Sequence, residues 1–173
     1  EEVGPKVEFI SMSSGEVLSK LKAEGGTPAA DLWFGGGIDA FMDAKDNNLL
    51  EKVDFDAADD LAPEYKDSDN YWFSKGVTVV GFIVNNDILK EKGLEAPKSW
   101  DDLTKEEYQG EVLMSNPAIS GTNYAVVNAL LQTKGEEEGW KYFEDLNKNV
   151  DYYSKRGSDP VSYTHLRAHE TLM

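Results

Sequence analysis

The sequence predicts an α/β protein built as two small lobes, and three observations carry that expectation. Short apolar runs rich in β-branched residues alternate with stretches whose apolar residues recur at helical spacing. The alternation runs once over about residues 1–80 and begins again over about 81–160. Each half also carries a serine-glycine turn at the same point of its pattern, Ser13-Ser14-Gly15 in one and Ser120-Gly121-Thr122 in the other.

In chain order, Val7–Ile10 is the first expected strand, and a helix follows from Glu16 to about Glu24 with Val17, Leu18 and Leu21 on one face. Gly25-Gly26 stops it. "ADLWFGGG" reads as a strand over Asp31–Phe34 ending in Gly35-Gly36-Gly37, then a helix from Ile38 to about Asn47 with Ile38, Phe41 and Met42 inward. Asp54 to Asn70 is an acidic loop containing Pro63, with room for one short helix. Lys75–Asn85 is the strongest strand signal, dense in β-branched residues. It joins the two lobes in place of a flexible linker. Ser99 followed by Asp102 has the spacing of a helix cap. Glu111–Ser115 is a strand, about Thr122 to Lys134 a helix closed by Gly135, and "EEEGWKYFEDLNKN" a helix with Trp140, Phe143 and Leu146 on one face. "VDYYS" is the last strand. Lobes this small bury only roughly 60% of their unfolded surface, so each is marginal alone.

Composition removes several classes of function. Seventeen Lys and Arg against 33 Asp and Glu, a formal net charge of -16, argue against nucleic-acid or anionic-membrane partners, which need basic patches. There is no cysteine, hence no disulfide, thiol nucleophile or zinc-thiolate site. Val77–Val84, the longest apolar run, is too short to span a bilayer. The chain opens on Glu1-Glu2 and not Met, which reads as a missing start with no bearing on export. Both histidines, His165 and His169, lie in "VSYTHLRAHETLM", which resembles translated sequencing-adapter sequence. Residues 161–173 are therefore expected to be a non-native tail, packing on nothing from about Ser162; a natural basic tail is the alternative. Without those histidines no usual catalytic triad is available, and carboxylates are too abundant for any pair to stand out.

The two serine-glycine turns are the candidate site. Hydroxyls, together with N–H groups left bare by glycine at a helix start, can hold a phosphate, phosphonate or carboxylate. Ser13, Ser14, Gly15, Ser120, Gly121 and Thr122 are the residues concerned. Ser13 with Glu16 three residues on is equally an ordinary capping box, in which Glu16 would repel an anion. Gly35 and Gly36, with Gly37, serve either tight backbone passage or close approach to a ligand; no Lys-Ser/Thr follows, so this is not a nucleotide P-loop. Asp54, Asp56, Asp59, Asp60, Asp67 and Asp69 do not fit a calcium loop and read as solvated acidic loop. Trp33, Trp72 and Tyr124 suit either a pocket lining or the core.

"KVEFISMSSGEVLSKLKAEGGTPAADLWFGGGIDAFMDAKDNNLLE", "FIVNND", "APKSWDDL", "YQGEVLMSNPAISGT" and "GWKYFEDLNKNVDYY" together resemble the family 1 extracellular solute-binding proteins of ABC importers, in the ferric iron, phosphonate and sugar-phosphate branch. The resemblance runs from Glu1 to about Pro160. It implies a type II periplasmic-binding fold, two α/β lobes hinged by crossing strands, with the solute in the cleft between them. It implies too that the chain is an internal fragment of a roughly twice longer protein, truncated at both ends. In that fold the loops matching Ser13–Gly15 and Ser120–Thr122 face the cleft from opposite sides.

The expected function is thus capture of a small phosphorylated or phosphonate-like anion by the substrate-binding component of an ABC importer. No catalytic residue, metal site or cofactor is expected. The partners implied are the solute and the membrane permease, for a monomer that is periplasmic or extracellular, with a lipid anchor as one option. A ferric carrier is the second reading. The adjacent tyrosines that ferric members use lie beyond the matched region, and Tyr152-Tyr153 falls too early to take that role. A carboxylate-dependent hydrolase and a structural acidic module are the readings from other classes.

Overall fold

The computed structural model describes Gly4 and residues 6–163. The core lies in the second half. β1 (Val112–Ser115) and β2 (Val150–Ser154) pair in parallel, Leu113 beside Tyr152, Met114 beside Tyr153 and Ser115 beside Ser154, with an irregularity between Val112 and Leu113. Parallel neighbours need a long crossover. Here it consists of two helices, Gly121–Lys134 and Glu136–Asn149, packed on each other. In chain order the helices are α1 (Ser14–Glu24), α2 (Ile38–Asp46), α3 (Asn86–Lys92), α4 (Gly121–Lys134) and α5 (Glu136–Asn149).

Leu103, Val126, Leu130, Tyr142 and Leu146 form the buried cluster, with Val80, Trp100, Val112, Met114, Phe143 and Val150 packed around it. Along α5 the buried positions are Gly139, Tyr142, Leu146 and Asn149, spaced three and four apart as one helix face requires. Trp140, expected inward, is half exposed. Its neighbour Gly139 faces α4 instead, because a methyl group there would come within 2.7 Å of Leu131 Cδ2. Buried Asn149 donates from Nδ2 to the Leu103 and Lys105 carbonyls, both at 2.7 Å.

The segment that these two bonds hold differs from expectation. The Ser99–Asp102 cap forms as predicted: Asp102 Oδ2 accepts from Lys98 and Ser99 N–H at 2.8 and 3.0 Å, and Asp102 N–H donates to Ser99 Oγ at 3.2 Å. What it opens is only a 3-10 turn, Asp101–Thr104. Lys105, extended at φ -65° and ψ 143°, ends the turn, and its carbonyl accepts from Tyr108 N–H at 3.0 Å as well as from Asn149.

In the first half α1 packs on α2. Ala44 is wholly buried and Phe41 stacks on Trp33 at 4.2 Å, whereas Ile38 and Met42, expected inward, are exposed. Three predicted strands, Val7–Ile10, Asp31–Phe34 and Lys75–Asn85, run without regular ladder pairing, and Phe9 and Val79 are 90% and 95% exposed. β-branched sequence favours extended backbone, but a strand also needs a neighbour to bond. Among the described residues the sheet has two strands, and neither pairs with these segments. Asn85 instead caps α3, an unforeseen short helix, by accepting from Asp87 and Ile88 N–H.

The acidic loop is solvated at Asp54, Asp56, Asp59 and Asp60, as expected, but not at Asp67. Burial pushes the Asp67 carboxyl up; bonds from Lys45 Nζ at 2.7 Å and from the Tyr71 and Asp69 N–H groups outweigh this and hold it below its usual range. Residues 159–163 are helical, and the Tyr163 ring lies edge-on to Tyr152 at 5.5 Å. The expectation that nothing packs from Ser162 onward therefore fails at Tyr163, while His165 and His169 lie outside the described residues.

Tyr142 offers a test of the core. Its hydroxyl donates to the Trp100 carbonyl at 2.8 Å, and burial, with some help from Asp101, pushes its pKa up to about 12. A proton held more tightly folded than unfolded stabilises fully below the unfolded value of about 10 and stops doing so as pH climbs through the folded one. Tyr142→Phe should cost about 1 kcal/mol at neutral pH. Its melting temperature should also fall less than that of the unaltered chain between about pH 10 and 12, as thermal melts across that range would show.

Candidate functional site

The two predicted turns meet. β1 ends at buried Ser115, and the chain turns through Asn116 to reach the start of α4. Asn116 organises that turn: its carbonyl accepts from Ile119 and Ser120 N–H, and its side chain accepts from Ala118 N–H at 2.9 Å. Asn123 then ties α4 back to the strand end by donating to Ser115 O and Oγ, both at 2.7 Å. Loops leaving the carboxyl ends of parallel strands are where open α/β sheets bind ligands.

Against this turn lies the start of α1. Gly15 N–H donates to the Ile119 carbonyl at 3.1 Å. A methyl group on Gly15 would come within 2.7 Å of that oxygen, and one on Gly121 within 2.2 Å of Ser14 Oγ. Gly36, at φ 112°, brings its backbone against Ser14; a methyl group there would be 3.0 Å from Ser14 Cβ. Glycine is required at these places because backbone approaches side chain and backbone too closely for a Cβ. Asn128 of α4 donates to Asp39 of α2 at 3.3 Å and adds a second link between the halves.

Of the eight predicted residues, Ser14, Gly15, Gly36, Ser120, Gly121 and Thr122 converge on this contact. Gly35 shapes the approach by its own positive φ of 99°. Ser13 is committed elsewhere, since its N–H and its hydroxyl both donate to Glu16 Oε2 at 2.9 Å. The capping reading of Ser13 therefore holds in the structure.

The Ser14, Ser120 and Thr122 hydroxyls are different: none makes a hydrogen bond to a described residue. Ser120 is only 3% exposed, so its idle hydroxyl is a nearly buried donor without a protein acceptor. Three hydroxyls beside two helix starts suit an anion, which gains about 0.3–1 kcal/mol from each such dipole.

Electrostatics supply a part that sequence reasoning missed. Hydrogen bonds from Ser13 hold the Glu16 carboxyl below its usual range, and the charges of Lys155 and Arg156 push the same way. Those cations sit on the turn after β2, whose Gly157 lies against Thr122 and Ser120. The available signal was their position just past the predicted strand "VDYYS". Trp33 stacks on Phe41, and Tyr124 is half exposed on the first turn of α4. Tyr152 and Tyr153 occupy successive positions of β2, so they point to opposite faces. Tyr153 donates to Asn147 Oδ1 at 2.7 Å, while Tyr152 meets Tyr163. Among the described residues no cluster of acidic side chains has the grouping of a metal site.

Residues 28–159 match the profile of a family described as bacterial extracellular solute-binding protein. The chain is 33% identical over 165 residues to an uncharacterized protein of Haemophilus influenzae, covering 92% of this chain and 48% of that one. It is 28% identical over 146 residues to a probable ABC transporter periplasmic-binding protein, y4fP, of Sinorhizobium fredii, covering 82% of this chain and 40% of the other. Among solved structures, the periplasmic binding protein AfuA of Actinobacillus pleuropneumoniae, with fructose 6-phosphate bound, superposes with a TM-score of 0.88 at 32% identity. That superposition covers 93% of this chain and 52% of AfuA. The chain belongs to the bacterial extracellular solute-binding family, and it spans about half the length of the curated relatives it matches. The type II periplasmic-binding α/β fold expected from the sequence is borne out by the same likeness.

The close approach of the two turns can be tested at Gly15. Gly15→Ala forces a methyl group onto the Ile119 and Ala118 carbonyls, which are backbone and cannot swing away. It should cost about 1–3 kcal/mol. Gly76→Ala, with nothing within 4 Å, should be neutral or slightly stabilising in the same thermal melts.

Proposed function

We propose that this chain forms much of the solute cradle of the substrate-binding component of an ABC importer. The solute is a small phosphorylated or phosphonate-like anion, held where the starts of α1 and α4 meet. One observation carries the reading: the Ser14, Ser120 and Thr122 hydroxyls stand without partners among the described residues beside two helix starts, at the carboxyl end of a parallel strand. A 32% identical structure with a sugar phosphate bound supports the choice of solute. In this reading the halves, about residues 1–80 and 81–160, are the two lobes, and the partner is the membrane permease of the importer. The setting is periplasmic or extracellular, in keeping with the family. No helix among the described residues is long and apolar enough to cross a membrane. The role is binding, not catalysis.

The test is a melting shift of the protein expressed from its complete reading frame. Fructose 6-phosphate, a phosphonate, ferric citrate and free fructose would be offered at saturating concentration. A ligand at 100 times its dissociation constant stabilises a competent binder by about 2.7 kcal/mol, an easily measured shift. The expected result is a shift with the phosphate ester or the phosphonate and none with fructose. Ser120→Ala combined with Thr122→Ala should diminish it. A shift with ferric citrate alone would favour the ferric carrier, and release of free phosphate from the ester would favour a hydrolase.

A further inference from the structure

The turn after β2 holds groups that neither the fold nor the core uses. Its backbone is fixed: Ser154 Oγ donates to the Arg156 carbonyl at 3.0 Å, Arg156 N–H donates to Asp159 Oδ2 at 3.0 Å, and Asp159 N–H returns to the Arg156 carbonyl at 3.2 Å. Ser154 is itself 1% exposed and paired with Ser115, so the turn starts from the same buried strand end that positions α4. Gly157 presses on the site, since a methyl group there would be 2.6 Å from Thr122 Oγ1 and 3.4 Å from Ser120 Oγ. The exposed Lys155 and Arg156 directly precede this glycine, and the charges of both act on the Glu16 carboxylate across the contact.

The side chains of these two residues make no ion pair or hydrogen bond with a described residue, while most other lysines near the core are paired. The chain has two arginines, Arg156 and Arg167, and Arg156 is the one among the described residues. A nearly buried serine hydroxyl with no acceptor among the described residues, an Arg156 without an ion pair among them on the adjoining turn, and two helix starts all lack the same thing. That missing component is an anion with several oxygens.

We infer that Arg156 binds the anionic group of the solute, with Lys155 offsetting the Glu16 carboxylate, so that the site selects a phosphate ester over the corresponding neutral sugar. This rests on the reading of the site as a solute cradle. The guanidinium contributes a planar pair of donors to two phosphate oxygens, and the Ser120 and Thr122 hydroxyls serve the others. Lys155 keeps Glu16, whose oxygen is held by Ser13, from repelling the dianion.

The experiment is titration calorimetry of the protein expressed from its complete reading frame, with fructose 6-phosphate, inorganic phosphate and fructose as probes. Arg156→Gln, Arg156→Lys and the Ser120→Ala, Thr122→Ala pair would be compared with the unaltered protein. Loss of one charge-assisted interaction predicts about ten- to a hundredfold weaker binding of the phosphate ester by Arg156→Gln. Arg156→Lys should fall between. The melting temperature without ligand should stay unchanged, because the side chain is exposed and makes no hydrogen bond or ion pair with a described residue. Weakened affinity together with a shallower salt dependence supports the inference. If Arg156→Gln binds the ester as well as the unaltered protein while the hydroxyl pair variant is weakened, the role of Arg156 is overturned and the cradle stands. If the unaltered protein binds neither the ester nor inorganic phosphate, both fall.

Discussion

Parallel pairing of Val112–Ser115 with Val150–Ser154 is the constraint on which the site depends. Two parallel strands present their carboxyl ends at one edge, and the chain must leave both there. It leaves one through the Asn116 turn into α4 and the other through Lys155–Ser158. Ser115 and Ser154, side by side and almost sealed from solvent, set the spacing between those exits. Asn123 locks one exit and Ser154 Oγ the other, so hydroxyls and cations arrive together without any long loop having to find its place.

The first half reaches this edge by absence of side chain. At Gly15, Gly36 and Gly121 the glycine lets two pieces of backbone, or backbone and a serine, come into contact. Hence the serine-glycine turns, which the sequence shows as two separate signatures, form a single place. In the proposed reading a protein of formal charge -16 thereby carries a local surface suited to anions. The global charge acts mainly through screened, long-range repulsion. In that reading the local arrangement acts through directed donors and through Lys155 and Arg156 on the adjoining turn.

Much of this was legible beforehand. β1, β2, α4 and α5 follow from periodicity, and their bounds differ from expectation by a residue or so. The two helix starts were legible because capping and glycine chemistry is local. What escaped is whatever depends on a distant neighbour. Val7–Ile10 and Lys75–Asn85 carry strand propensity, but propensity does not supply a partner. Ser99 and Asp102 mark the start of a turn correctly, but nothing in them shows that Asn149, more than forty residues away, bonds its Leu103 carbonyl. Asp67 reads like its acidic neighbours until Lys45 folds over it. Arg156 looks like any exposed cation until the next residue, Gly157, is seen to lie against Thr122 and Ser120.

The capping of Ser13 by Glu16 and the packing of Gly15 and Gly121 have opposite consequences for how such a sequence can drift. At position 13 the work is done by a short side chain whose hydroxyl donates to Glu16, and Thr can supply the same donor. That position is open to neutral exchange. At Gly15 and Gly121 the first added carbon already meets a carbonyl or a hydroxyl at 2.2 to 2.7 Å, so there is no intermediate step between glycine and a wedge. Change there must be accompanied by a shift of the opposing turn. Two adjoining stretches of one site are therefore bound to evolve at different tempos, the cap freely and the contact only in concert with its partner.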